Sequence, residues 1–250
     1  MTWTDIAVIA DHPKAHIEEA ALLADLAKSE ISKAWVFGGG ASTTNDFDGA
    51  NSAVLELARR NPATIVPIGV INPFHVARDA ANWVDRGLKG FRVLTNWGNW
   101  ISLNNVRELV VPLARLMRDA RLPLIVALEG FSPMTGGSVA LPLILRRECP
   151  GVCLILDHCW SPLGWADYLA FAAEFPDVWV TLHGLPQMLL RHAVAELGTR
   201  RILAGSWYPE ADPDLVYLQI ARAVGSGVDL GAVLTANAER ALAGKRASDD

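Results

Sequence analysis

Short runs rich in valine, isoleucine and leucine alternate along the chain with longer stretches whose apolar residues recur every three or four positions. The short runs lie at 5–10, 33–37, 64–70, 88–94, 123–128, 152–157, 178–182 and 201–204, and they are almost wholly apolar. A strand with one wet face alternates apolar and polar residues. A strand covered on both faces reads as a continuous apolar run, as in a parallel sheet. The longer stretches carry the 3.6-residue period of amphipathic helices. They cover 15–28, 50–60, 76–86, 106–118, 163–174, 186–197 and 214–224, with a last helix over 231–242. Gly87, Arg121-Leu122-Pro123, Pro150-Gly151, Pro176 and Gly198 supply stops. Strand then helix, repeating about every 30 residues, predicts an α/β fold of the (β/α)8 TIM-barrel type, a single domain over residues 1–250. A doubly wound open sheet is the alternative, but it would carry a phosphate-binding glycine fingerprint. Gly38-Gly39-Gly40 lacks the third spaced glycine and the Lys-Ser/Thr pair, so it reads as a βα loop. The tail from residue 245 onward reads as frayed.

Composition narrows the function classes. With 51% hydrophobic residues the chain has ample material for a core, and its net charge of −5 argues against nucleic acid as a partner. There is no apolar run of about 18 residues that would span a membrane. The N-terminal stretch lacks the basic and apolar regions of a signal peptide, so the expected location is cytoplasmic. Cys149, Cys153 and Cys159 are an odd set, which fits reduced thiols. Their spacing with His158 matches no zinc pattern.

In a barrel of this kind the chemistry lies on the loops after the strands. The strand ends offer Asp11 and His12, then Asn72 and His75, Arg92 followed by Asn96, Trp97 and Trp100, Glu129, Asp157-His158-Cys159-Trp160, His183, and Trp207, Tyr208 and Glu210. Four of the six histidines fall there, with a concentration of tryptophan that suits an apolar or planar ligand. Histidine near its ordinary pKa is the natural proton shuttle. Arginine can hold a carboxylate with two parallel hydrogen bonds. The expected catalytic groups are His158, Glu129, His183 and Asp11. The expected substrate contacts are Arg92, Asn96, Trp97, Trp160, Trp207 and Tyr208. Each has a structural alternative: His158 as an internally bonded core residue, the tryptophans as loop covers, Arg92 as the partner of an acidic neighbour.

Six fragments, in order, carry a resemblance to a known family. They are Asn72-Pro73, Leu88-Lys89-Gly90-Phe91-Arg92, Leu122-Pro123-Leu124-Ile125-Val126, Leu154-Ile155-Leu156-Asp157-His158, Gly205-Ser206-Trp207-Tyr208-Pro209 and Ala236-Asn237-Ala238-Glu239-Arg240-Ala241-Leu242. The chain resembles the amidohydrolase superfamily, in its amidohydrolase-related group of hydrolases, lactonases and decarboxylases. The resemblance implies metal ligands on strands one, five, six and eight. Here those positions hold Ala7 and Ile9, Ala127, His158 and Trp207, so only His158 remains. A hydrolytic metal needs about three protein ligands, and the expectation is therefore no catalytic metal and no cofactor. The expected function is metal-independent acid–base chemistry, hydrolytic or of lyase or isomerase type, on a small carboxylated or aromatic substrate. The alternatives are a catalytically dead ligand-binding barrel, or a metal hydrolase with ligands drawn from His12, His16 and His75. A homodimer through apolar helices such as 139–145 is also allowed.

Overall fold

The computed structural model describes residues 2–10, 18–40, 44–71, 76–94, 105–127, 139–157, 165–182, 184–225 and 228–249. The strands are β1 (Trp3–Ile9), β2 (Ile31–Phe37), β3 (Ile65–Pro67), β4 (Gly69–Val70), β5 (Phe91–Leu94), β6 (Pro123–Ala127), β7 (Cys153–Asp157), β8 (Trp179–Thr181) and β9 (Ile202–Leu203). All neighbouring pairs are parallel, in sequence order. Two contacts close the sheet into a barrel. Ile6 donates its backbone N–H to Ala204 at 3.0 Å, and Ile9 donates to Tyr208 at 2.9 Å.

Helices α1 (Glu19–Lys28), α2 (Phe47–Arg60), α3 (Val76–Asp85), α4 (Val106–Ala120), α5 (Ala140–Glu148), α6 (Trp165–Glu174), α7 (Gln187–Leu197) and α8 (Pro213–Val224) follow the strands. A short helix α9 (Val228–Gly231) runs through a π turn (Ala232–Ala236) into α10 (Asn237–Leu242). Among the described residues no helix is long and apolar enough to cross a membrane. In α4 the buried residues Val106, Val110, Val111, Leu113, Ala114 and Met117 trace one helical face. Helix α8 starts where Asp212 accepts from the Asp214 N–H at 2.9 Å, with Pro213 in the first turn.

The apolar runs divide by strand alternation into an inner and an outer layer. Trp35 and Phe37, Ile125, Cys153 and Ile155, Trp179 and Leu203 pack together inside the barrel. Ala34 and Val36, Leu124 and Val126, Leu154 and Leu156, and Val180 face the helices. β1 breaks the rule. Ile6, Ala7 and Ile9 all join the inner cluster, and the pairing with β2 slips by one residue between Asp5 and Val8. A bulge that adds one residue to a strand has this effect.

Three expectations change. The run 64–70 is two strands, because Pro67 offers no N–H and the ladder passes there from β2 to β5. Regular pairing in the fourth run begins only at Phe91. Gly90, at φ 157°, lies so close to Pro123 that a Cβ would stand 2.8 Å from its carbonyl oxygen. The tail is docked rather than frayed: Trp179 donates its indole N–H to the Lys245 carbonyl at 2.8 Å, and the Ala247 N–H bonds Asp177 at 3.1 Å.

Ile155 is fully buried at mid-strand within the inner cluster. Ile155→Ala is expected to lower stability by about 2–5 kcal/mol. Urea unfolding checks this, and a loss near zero would mean that the lumen collapses around the deletion.

Candidate active site

The C-terminal ends of the strands meet around one buried carboxylate. Asp157, the last residue of β7, is fully buried. Its Oδ2 accepts from Arg92 Nη1 of β5 and, at 2.9 Å, from the Trp207 indole N–H. Its Oδ1 accepts from the Thr181 hydroxyl of β8. Arg92 is equally buried, and its Nη2 donates to the Ile6 carbonyl of β1 at 3.1 Å. The guanidinium lies 4.2 Å from the Phe37 ring centroid and 5.3 Å from that of Trp207, and those rings meet edge to face at 5.6 Å. Aromatic faces suit a cation whose hydration has been stripped away.

A second buried carboxylate stands beside the closure of the barrel. Asp5 Oδ1 accepts from the backbone N–H groups of Ala7 (3.0 Å) and Ser206 (2.9 Å). Its Oδ2 accepts from the Ser206 hydroxyl, whose oxygen accepts in turn from the Tyr208 N–H at 3.0 Å. Burial pushes the Asp5 pKa from 3.8 up to about 6. The Ser206 and Ala7 hydrogen bonds hold it down in part, and the negative charge of Asp157 adds to the rise.

Of the expected site residues, the structure brings Arg92 and Trp207 together. Both terminal nitrogens of Arg92 have internal acceptors, so the arginine is aimed at Asp157 and the Ile6 carbonyl rather than outward. Trp207 has a left-handed backbone, φ 60°, which turns its indole into the lumen. Tyr208 goes the other way: its hydroxyl bonds Asp25 of α1 and it packs in the helix layer. Its phenol is pushed up to about 12, first by burial and then by the Asp25 carboxylate. His158, Glu129, His183, Asp11, Asn96, Trp97 and Trp160 lie outside the described residues, as do His12, His16 and His75.

Sequence reasoning passed over Asp5, Thr181 and Ser206, and took Asp157 only as part of a strand end. The available signal was a lone acid inside an apolar run, since such an acid must be buried with partners. The residues that can be tested for metal do not fit one. Ala7 and Ile9 are fully buried and offer no donor, and the indole nitrogen of Trp207 is itself a donor, engaged with Asp157. Among the described residues no group of three His, Cys, Asp or Glu side chains could hold an ion.

The sequence profile of a family described as Amidohydrolase matches residues 8–243, and the chain belongs to that family. No curated protein matches it. Solved structures share its fold at low identity. An uncharacterised TIM-barrel protein from Bordetella bronchiseptica superposes with a TM-score of 0.69 at 18% identity, over 90% of this chain and 82% of that one. A 2,6-dihydroxybenzoate decarboxylase from Rhizobium gives 0.75 at 13%, over 97% and 98%. A dihydroxybenzoic acid decarboxylase from Polaromonas sp. JS666, with bound manganese and the inhibitor 2-nitroresorcinol, gives 0.72 at 13%, over 96% of each chain.

Two outcomes follow from the charges. Folded Asp5 holds its proton more tightly than the unfolded residue does. Its stabilising effect is therefore complete below about pH 4 and lost as pH rises through about 6, about 3 kcal/mol in all. Asp5→Asn should flatten the pH dependence of urea stability over that window, and an unchanged slope would contradict the assignment. Breaking the ion pair with Arg92→Met or Asp157→Asn should cost about 3–5 kcal/mol, because a buried charge is orphaned. The double variant Arg92→Met/Asp157→Leu should recover part of that loss in the same assay.

Proposed function

We propose that this member of the amidohydrolase family is a hydrolase- or lyase-type enzyme acting on a small aromatic carboxylate at the C-terminal mouth of its barrel. His158, Glu129, His183 and Asp11 are the proposed proton-transfer groups. Asn96, Trp97 and Trp160, with Trp207 beneath them, are the proposed binding wall. Arg92 and Tyr208 support that wall from within the fold. We propose further that the chemistry runs without a metal at the Ala7, Ile9 and Trp207 positions.

One observation carries the reading. The residue immediately before His158 is a fully buried carboxylate tied to β5, β8 and the segment after β9. Such anchoring supports a catalytic role for the residue that follows, since placement is a large part of catalysis. Family membership supports the hydrolase or lyase class. The decarboxylases among the structural neighbours suggest the substrate class. The side chains at Ala7, Ile9 and Trp207 offer no metal-ligating atom, which supports the metal-free reading. For a decarboxylation the atoms balance without an oxidant. A general acid delivers a proton to the ring carbon bearing the carboxylate, the carbon–carbon bond breaks to release carbon dioxide, and its electron pair restores the ring. For a hydrolysis the same acid–base groups would serve an attacking water.

The test is turnover of a panel of hydroxybenzoates and aryl lactones, with and without chelation. His158→Ala and Glu129→Gln should each lower kcat at least about 100-fold with the fold retained. Tight binding of the panel without product would favour a ligand-binding barrel instead. Loss of activity on chelation, restored by manganese, would remove the metal-free part alone.

A further inference from the structure

We propose that residues 245–249 form a strap across the base of the barrel, one that opens as a local unit without unfolding it and so controls access to Cys153. The base is the end where the strands begin. Cys153 is the first residue of β7 and Trp179 the first of β8. The Lys245 carbonyl accepts from both of them, at 3.1 Å from the thiol and 2.8 Å from the indole N–H. The Cys153 thiol also lies 3.5 Å from the Ala241 carbonyl. One residue on from Arg246, the Ala247 N–H reaches the Asp177 carbonyl at 3.1 Å, and Ala247 is buried in the inner cluster.

The strap is aimed by its neighbours. Gly244 turns the chain at φ 71°, against the carbonyl of Arg121. A Cβ there would stand 2.2 Å from that oxygen, so the turn requires glycine. Arg240 of α10 clamps the far side. Its Nη2 donates to the carbonyls of Ala247 and Asp249, and its guanidinium lies 5.1 Å from the Trp179 ring centroid. Arg246 closes the strap on itself through Asp249 at 2.8 Å. Asp177, which receives the strap, is held from the other side by Arg146 at 2.7 Å.

Two features make this a latch rather than part of the cooperative core. Its attachments are mostly polar, with Ala247 as its buried apolar residue, and segments held in this way lie at the low end of the local-stability range. The group beneath it is a thiol that burial pushes up to about 12, which keeps it inert while the strap is closed. The strap also secures the lower ends of β7 and β8, whose upper ends carry Asp157 and Thr181.

Iodoacetamide labelling of the full chain, read at Cys153 by site-resolved mass spectrometry over a urea series, tests the proposal. Exchange of the Ile155 amide reports opening of the barrel in the same samples. Labelling should depend only weakly on urea. It should rise about tenfold in Arg240→Ala, and further in a chain ending at Gly244, while Ile155 protection holds. Three results would overturn the strap: labelling that follows global unfolding, labelling unaffected by Arg240→Ala, or a shortened chain that does not fold.

Discussion

The ion pair of Arg92 and Asp157 is the constraint on which the upper half of the barrel depends. Both groups are fully buried in a largely apolar lumen, where an unpaired charge is very costly. The pair must therefore form, and most of its other polar atoms find partners, with Arg92 Nε unpaired among the described residues. Those partners are the Ile6 carbonyl from β1, Thr181 from β8 and the Trp207 indole from the segment after β9. One electrostatic requirement thus ties together β5, β7, β8, β1 and the chain beyond β9. The two aromatic faces around the guanidinium complete the shell. The same requirement keeps Arg92 from serving first as a ligand-binding arm, since its terminal nitrogens are already engaged within the fold.

Trp207 shows how local backbone geometry redirects a side chain. A tryptophan at φ 60° is strained by about 1–3 kcal/mol, and such strain persists only when the surroundings over-determine it. Here they do: the indole N–H is held by Asp157 and the ring by Phe37. Next to it Tyr208 continues the barrel closure with its backbone and sends its ring to α1. Two adjacent aromatics that read alike in sequence therefore serve different layers. Among the described residues, the lumen beneath the mouth is filled by carbon, by an internal ion pair and by Asp5 with its partners.

Much of the architecture was legible because strand periodicity and burial obey simple rules. Trp35 and Phe37 inside, with Ala34 and Val36 outside, follow from alternation alone. The bulge in β1 was not legible, because it arises from the pairing offset against β2 and not from any residue in Trp3–Ile9. The docking of the tail was hidden for a similar reason. Its residues are mostly polar, and its attachment to the base of the barrel uses backbone carbonyl and N–H groups that every residue carries. In the candidate site Arg92 and Trp207 could be named from their positions at strand ends, but their shared partner could not. Asp157 is the common acceptor only because β5, β7, β8 and the closing segment converge in three dimensions.

By itself the sequence determined the order and type of the elements, the parallel barrel and the family. These rest on local periodicity and on motifs that need no knowledge of distant contacts. The tertiary structure alone decided how the charges are used. The energy of a buried carboxylate depends on what lies within a few ångströms of it, and in a closed barrel those neighbours come from residues far apart in the chain. Asp5 meeting Ser206, Asp157 meeting Arg92, and Cys153 sealed beneath Lys245 are all decisions of that kind.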